Sequence, residues 1–370
     1  MNKVYLWVKK EPVLIISAIC AVISMFFYGP SAEYIGYINF RVLCLLFSLM
    51  AVVAGFTKCG LFNVLAQKVV QKCHSTLSIS IILVMLTFFC SMLITNDVAL
   101  ITFVPFTILI LEMTGQRKNM ILVIVLQTIA ANLGSMATPI GNPQNLYLFS
   151  EYNVSASQFF SVMTFYTVIS FVLILIGCLF VKKEKIEVSL DNMDSSIKNK
   201  KNMAVYAVLF IISFLAVFRV VSYVVTTAVT AIAILIIDRE IFKRVDFCLL
   251  ITFVFFFIFS GNLGNIDTVH NLLSGAINKN TMVTSVVASQ FISNVPAAVL
   301  LSGFTQDWKS LLIGTNIGGL GTPIASMASL ISLKLYMNEK GTNSKKYMAV
   351  FLAVNVIFLI ILLLAEMIFG

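Results

Sequence analysis

The chain has 370 residues, of which 59% are hydrophobic and 11% charged, and its mean hydropathy is +0.99. A water-soluble domain of this length could not solvate such a surface, so soluble enzymes and regulators are excluded. The net charge of +9 does not mark a nucleic-acid binder, because the lysines and arginines fall in short connections between apolar runs, where they set membrane topology.

In chain order, Lys3, Lys9 and Lys10 precede an apolar run over residues 12–29. That run is long for a signal-peptide core and no small-x-small cleavage site follows it, so it reads as a retained first helix. Further helices are expected at 37–56, 157–181, 203–219, 222–237, 247–265 and 347–369, and broken helices at 118–149 and 310–336. Stretches of roughly seventeen or more apolar residues are long enough to span the hydrocarbon as helices. Alternating strands are absent, which argues against a β-barrel. The fold class is therefore an all-α polytopic membrane protein in the cell membrane, with the lipid bilayer as its first partner.

Two segments, 76–112 and 283–304, are apolar runs interrupted by an asparagine motif. Both read as re-entrant hairpins. The second holds two half-helices of about ten residues, each about 15 Å long, too short to cross twice; the first is long enough that two crossings also fit. Thr57–His74 and Ile266–Lys279 are amphipathic and are expected along the interface, with His74 and His270 in structural roles. Glu112 and Glu366 fall near helix ends and read as solvated or interfacial. The seven cysteines have no metal-ligand spacing and read as small apolar filler.

With the N-terminus cytoplasmic and both hairpins re-entrant, 20 of the 25 Lys and Arg residues lie inside, and the C-terminus is outside. Counting either hairpin as one crossing destroys this bias. The chain then divides into a first repeat at 1–181, a polar cytoplasmic linker at 182–202, and a connecting helix plus an inverted second repeat at 203–370.

The repetition is visible in the residues. Thr95-Asn96-Asp97 at the first tip matches Ser293-Asn294-Val295 at the second. Asn132-Leu-Gly134-Ser-Met-Ala-Thr138-Pro-Ile matches Asn316-Ile-Gly318-Gly-Leu-Gly-Thr322-Pro-Ile. A helix break in lipid must satisfy its freed backbone groups with protein, water or ligand. Freed amides carry partial positive charge and suit an anion; freed carbonyls with Asn, Ser or Thr oxygens suit sodium. Asn96 and Asn294 can both donate and accept. Around the breaks, the first copy offers Thr138, Asn142, Gln144 and Asn145, which the second copy replaces with Thr322, Ser326, Ala328 and Ser329. Inverted repeats of broken helices are the pattern of secondary transporters. Asp97 has no acidic counterpart. An intramembrane carboxylate is functional by default, although it also suits the start of the following half-helix as a cap.

These motifs resemble the ion transporter superfamily, which includes citrate transporter-like permeases, divalent-anion/sodium symporters and arsenite permeases. In the symporters each tip reads Ser-Asn-Thr; here both asparagines are kept and both final threonines are replaced. The Asn-Asp pair is closer to the arsenite permeases. The resemblance implies an elevator-type transporter, commonly a homodimer, moving a small anion between the two tips. It implies a bound Na+ coordinated by Thr95, Asn96, Gly134 and Asn142, and a second by Ser293, Asn294 and Gly318, with no other cofactor. Asn96, Thr138, Asn142, Asn145, Asn294, Thr322 and Ser326 are the substrate-binding candidates, and Asp97 joins the cation-coupling set. Metalloid efflux or Na+/H+ exchange is the nearest rival and an ion channel a distant one. No catalytic constellation points to an enzyme.

Overall fold

The computed structural model describes residues 12–71, 73–185, 197–266, 271, 274–275, 277, 279–339 and 341–369. Most of the amphipathic stretch expected at 266–279, His270 included, and most of the linker lie outside them. The described residues form α1 (Pro12–Phe27), short α2 (Glu33–Tyr37), α3 (Phe40–Lys58), α4 (Leu61–Val70), α5 (Thr76–Ile94), α6 (Asn96–Met113), α7 (Met120–Ser135), α8 (Pro143–Glu151), α9 (Ala156–Cys178), α10 (Lys200–Val217), α11 (Tyr223–Ile237), α12 (Phe247–Gly264), α13 (Thr281–Ile292), α14 (Asn294–Ser302), α15 (Trp308–Ile317), α16 (Met327–Met337) and α17 (Ser344–Phe369). Eight helical segments among the described residues are long and apolar enough to cross a membrane. This is an all-α, multi-pass membrane architecture.

Polar residues start the helices where backbone amides need acceptors. Ser75 accepts from Ser78 N–H at 3.2 Å, Asn142 from Asn145 N–H at 2.9 Å and Asp246 from Leu249 N–H at 2.9 Å. Ser155 and Gln158 form a reciprocal capping box at the start of α9.

The helices sort into two groups. In one, α12 packs on α1, and α3 packs on α10 and α11. The other contains α5–α9 and α13–α17. There α5 lies on α7, and α13 lies likewise on α15. The return arms cross over between the repeats: α6 packs on α16, and α14 packs on α8. The segment leading through α7 is 89% buried, so α7 is the axis of this second group, whereas α9 and α17 are each 28% buried and present apolar surface outward.

Contacts between helix ends define two faces. Glu184, after α9, accepts Thr76 N–H at 2.9 Å through its backbone and Gln116 Nε2 at 2.7 Å through its side chain, and pairs with Lys118. Lys118 and then Gln116 hold the Glu184 carboxyl below its ordinary value. Thr76 begins α5 and Gln116 follows α6, so both ends of the first hairpin meet one face. Its arms are nonetheless 19 and 18 residues long, about 28 Å each at about 1.5 Å per residue. The second hairpin is shorter, with arms of 12 and 9 residues, and its end lies on the opposite face, where Tyr152 Oη donates to Ser302 O at 3.1 Å and Thr305 O at 2.8 Å. Arg219 on that face reaches Phe149 O at 3.2 Å. Lys58 on the lysine-rich face bridges Asp238 at 2.7 Å and Glu240 at 2.6 Å.

Candidate functional site

The two hairpin tips have the same backbone. Thr95 sits at φ 73°, ψ 148° and Ser293 at φ 71°, ψ 154°, a region that side-chain-bearing residues rarely enter. In each, the following asparagine turns its Oδ1 to the next backbone amide: Asp97 N–H donates to Asn96 Oδ1 at 3.0 Å and Val295 N–H to Asn294 Oδ1 at 2.9 Å. One hydroxyl in each break ties back to its hairpin. Thr138 donates to Met92 O, three residues before Thr95, and Thr322 to Gln290 O at 3.1 Å, three residues before Ser293. The glycines close the packing: a Cβ on Gly134 would stand 2.2 Å from Phe88 O, and one on Gly318 would stand 2.9 Å from Ser289 Oγ.

Behind the tips lies a buried amide network that joins the repeats. Asn96 Nδ2 donates to Asn132 Oδ1 at 3.1 Å, which also accepts from Ser326 Oγ at 2.9 Å. Asn132 Nδ2 reaches Gly319 O at 3.3 Å. Asn142 Nδ2 donates to Asn316 Oδ1 at 3.0 Å, and Asn316 Nδ2 to Asn145 Oδ1 at 2.6 Å. Helices α5, α7, α13 and α15 all end here, so their carbonyl ends border the network.

In front of the tips is a cavity lined by Asn96, Asp97, Gln144, Ser293, Asn294, Ser326 and their neighbours, and by Val13, Leu14, Asp246, Cys248, Leu249 and Thr252 across the seam. The second helix group supplies the tips and the first supplies α1 and α12. Helices α6, α8, α12, α14 and α16 each begin at this cavity, so five N-termini converge on it. No Lys or Arg is among its described lining residues.

Of the residues singled out in the sequence, Asn96, Asp97, Gln144, Ser293, Asn294 and Ser326 line the cavity. Asn142 and Asn145 lie in the network, Thr95 forms the first tip, and Gly134, Gly318, Thr138 and Thr322 hold breaks against hairpins. Asn132 and Asn316 stand in the repeated blocks, yet only the fold shows them pairing across repeats. Gln290 donates to Gly318 O at 2.8 Å and Leu320 O at 2.9 Å. No motif marks Gln290 or Asp246.

The model of the citrate transporter family matches residues 4–306 of the chain. The chain is 34% identical to an uncharacterized transporter of Methanocaldococcus jannaschii, over 80% of this chain and 81% of that one. It is 27% identical to the inner membrane protein YbiR of Escherichia coli, over 85% of each. It is 28% identical to the human P protein over 40% of its own length and 18% of that protein. Inverted hairpins, paired helix breaks and these matches agree: the chain belongs to the citrate transporter family, within the ion transporter superfamily, and is a membrane transporter, not an enzyme.

Proposed function

We propose that the protein is a secondary active transporter of a small anion, citrate-like or an inorganic oxyanion, coupled to Na+ or H+. The observation that carries this reading is the convergence of five helix N-termini on one cavity. Each helix end presents roughly half a positive charge, enough together to hold an anion where the described lining offers no basic side chain. The coupling ions take the other side of the breaks, where the carbonyl ends of α5, α7, α13 and α15 meet the asparagine network.

The cavity is walled by both helix groups, which supports an elevator: the hairpin group slides past α1, α3 and α10–α12 and carries the site with it. The protein works as a homodimer in the cell membrane, with the lysine-rich face cytoplasmic, the N-terminus inside and the C-terminus outside.

Purified protein in liposomes should accumulate radiolabelled citrate, another carboxylate or an oxyanion when a Na+ or H+ gradient is imposed, and should lose the accumulated anion when an ionophore collapses that gradient. If none of a broad anion panel enters faster than into empty liposomes, the reading fails. The rival of metalloid efflux or Na+/H+ exchange is favoured by one observation, an aspartate in the first tip where the symporters carry threonine. It predicts metalloid or proton flux in the same liposomes without any carboxylate or oxyanion uptake.

A further inference from the structure

Asp97 is held at the cavity in a peculiar way. Its Oδ1 is buried and has no hydrogen-bond partner. Gln144, only 1% exposed, starts α8 beside it, and its Oε1 is likewise buried without a partner. Across the seam, Asp246 at the start of α12 lines the same cavity. Its Oδ1 accepts the Leu249 amide, while Thr252 spends its hydroxyl proton on Cys248 O at 2.8 Å. Asp97 Oδ1 and Gln144 Oε1 are therefore buried acceptors at one cavity with no partner, which is costly, and the solvent-exposed Asp246 carboxylate lines the same cavity.

We propose that Asp97, Gln144 and Asp246 form a binding site for a monovalent metal cation of sodium size, shared between the two helix groups. The ligands are all oxygens, which select a hard cation. Charge selects a monovalent one. The two carboxylates sit on the N-termini of α6 and α12, each of which offsets roughly half a charge, so about one negative charge remains. Three further N-termini, those of α8, α14 and α16, are left for an anion. A cation in this corner screens Asp97 and Asp246 from that anion, so each ligand raises the affinity of the other by the same factor. Because Asp246 belongs to the first helix group and Asp97 to the second, the site is complete only while the tips face the start of α12. Any part it plays in coupling, in addition to the ions behind the breaks, rests on the transport reading above; the binding does not.

The test uses purified full-length protein in detergent, with no anion substrate and with choline replaced by Na+ at constant ionic strength. Melting temperature should rise saturably with Na+ and much less with K+, since a ligand of the folded state stabilises it. Asp246→Asn keeps the helix cap, because asparagine caps as well as aspartate, and should raise the Na+ midpoint roughly tenfold or more, the value of one interaction with a charged group. Gln144→Leu should raise it as well, and Asp97→Asn should abolish the response. An unchanged midpoint in Asp246→Asn overturns the site. So does equal stabilisation by K+ and choline, or a response that follows pH and ignores Na+. Loss of anion uptake from liposomes with this Na+ response intact would sink the transport reading and leave the site standing.

Discussion

Single positions in the breaks are set by contact distances that leave no room for change. Gly134 is the sharpest case. The atom a Cβ would meet at 2.2 Å is the carbonyl of Phe88, part of the α5 backbone, and Ser91 Oγ follows at 2.5 Å. A backbone cannot rotate away as a side chain can, so Gly134→Ala must push α5 off α7, at a cost of about 1–3 kcal/mol. The melting temperature in detergent should fall by several degrees, whereas Gly29→Ala, with open space around it, should leave it unchanged. A wild-type melting curve for Gly134→Ala would show that α5 and α7 are less tightly apposed. The importance of Gly134 and Gly318 is legible in the sequence, because both recur in matching blocks. Asp246 is not legible: it looks like an ordinary helix cap next to a basic connection. Only folding places it opposite Asp97, which is 149 positions earlier in the numbering.

At the scale of elements, the tips are turned by residues that resist the turn. Thr95 and Ser293 adopt positive φ with extended ψ, a conformation that costs of order 1–3 kcal/mol outside glycine. Glycine would remove that strain and return part of the gain through unfolded-chain entropy, about 0.4–1 kcal/mol. Thr95→Gly and Ser293→Gly should therefore each raise the melting temperature. Both should also slow anion uptake, because each removes a hydroxyl from a tip and loosens a turn that aims the next asparagine. Faster uptake with a higher melting temperature would mean that the strain is incidental. Element types follow from apolar runs and breaks, so hairpins and broken helices are readable from the order of residues alone. Their pairing is not. The packing of α6 on α16 and of α14 on α8 exchanges partners between repeats, and periodicity within one segment carries no trace of it. Likewise, the length of the first hairpin fits a re-entrant loop or two full crossings; either returns it to the face it left, in line with the contacts of Glu184 with both of its ends.

For the whole molecule, the decisive question is whether the two helix groups move past each other. Their seam runs along α12: its start lines the cavity with Asp97 and Asn294, while its later part, with Ser260 and Gly264, borders a second opening shared with Tyr147, Glu151 and Ser302 toward the opposite face. Ser260 Oγ lies 3.3 Å from both Val299 O and Leu300 O of α14, and a Cβ on Gly303 would lie 3.1 Å from that same Oγ. Gly303 has an ordinary right-handed conformation, φ −69°, so cysteine fits there without backbone strain. A bond between sulfurs at these two positions falls within the usual reach of a disulfide. With the seven native cysteines replaced, Ser260→Cys combined with Gly303→Cys should therefore cross-link under oxidant. If the hairpin group carries its site past α12, the cross-link pins it in the present arrangement: uptake stops on oxidation and returns on reduction, and each single variant transports in both conditions. Substrate binding should survive the cross-link, because the cavity between the tips is already formed in the pinned arrangement. That separation of binding from transport is what a sliding body requires. A channel with fixed walls, or a gate confined to the tips, would instead keep conducting with the two groups joined.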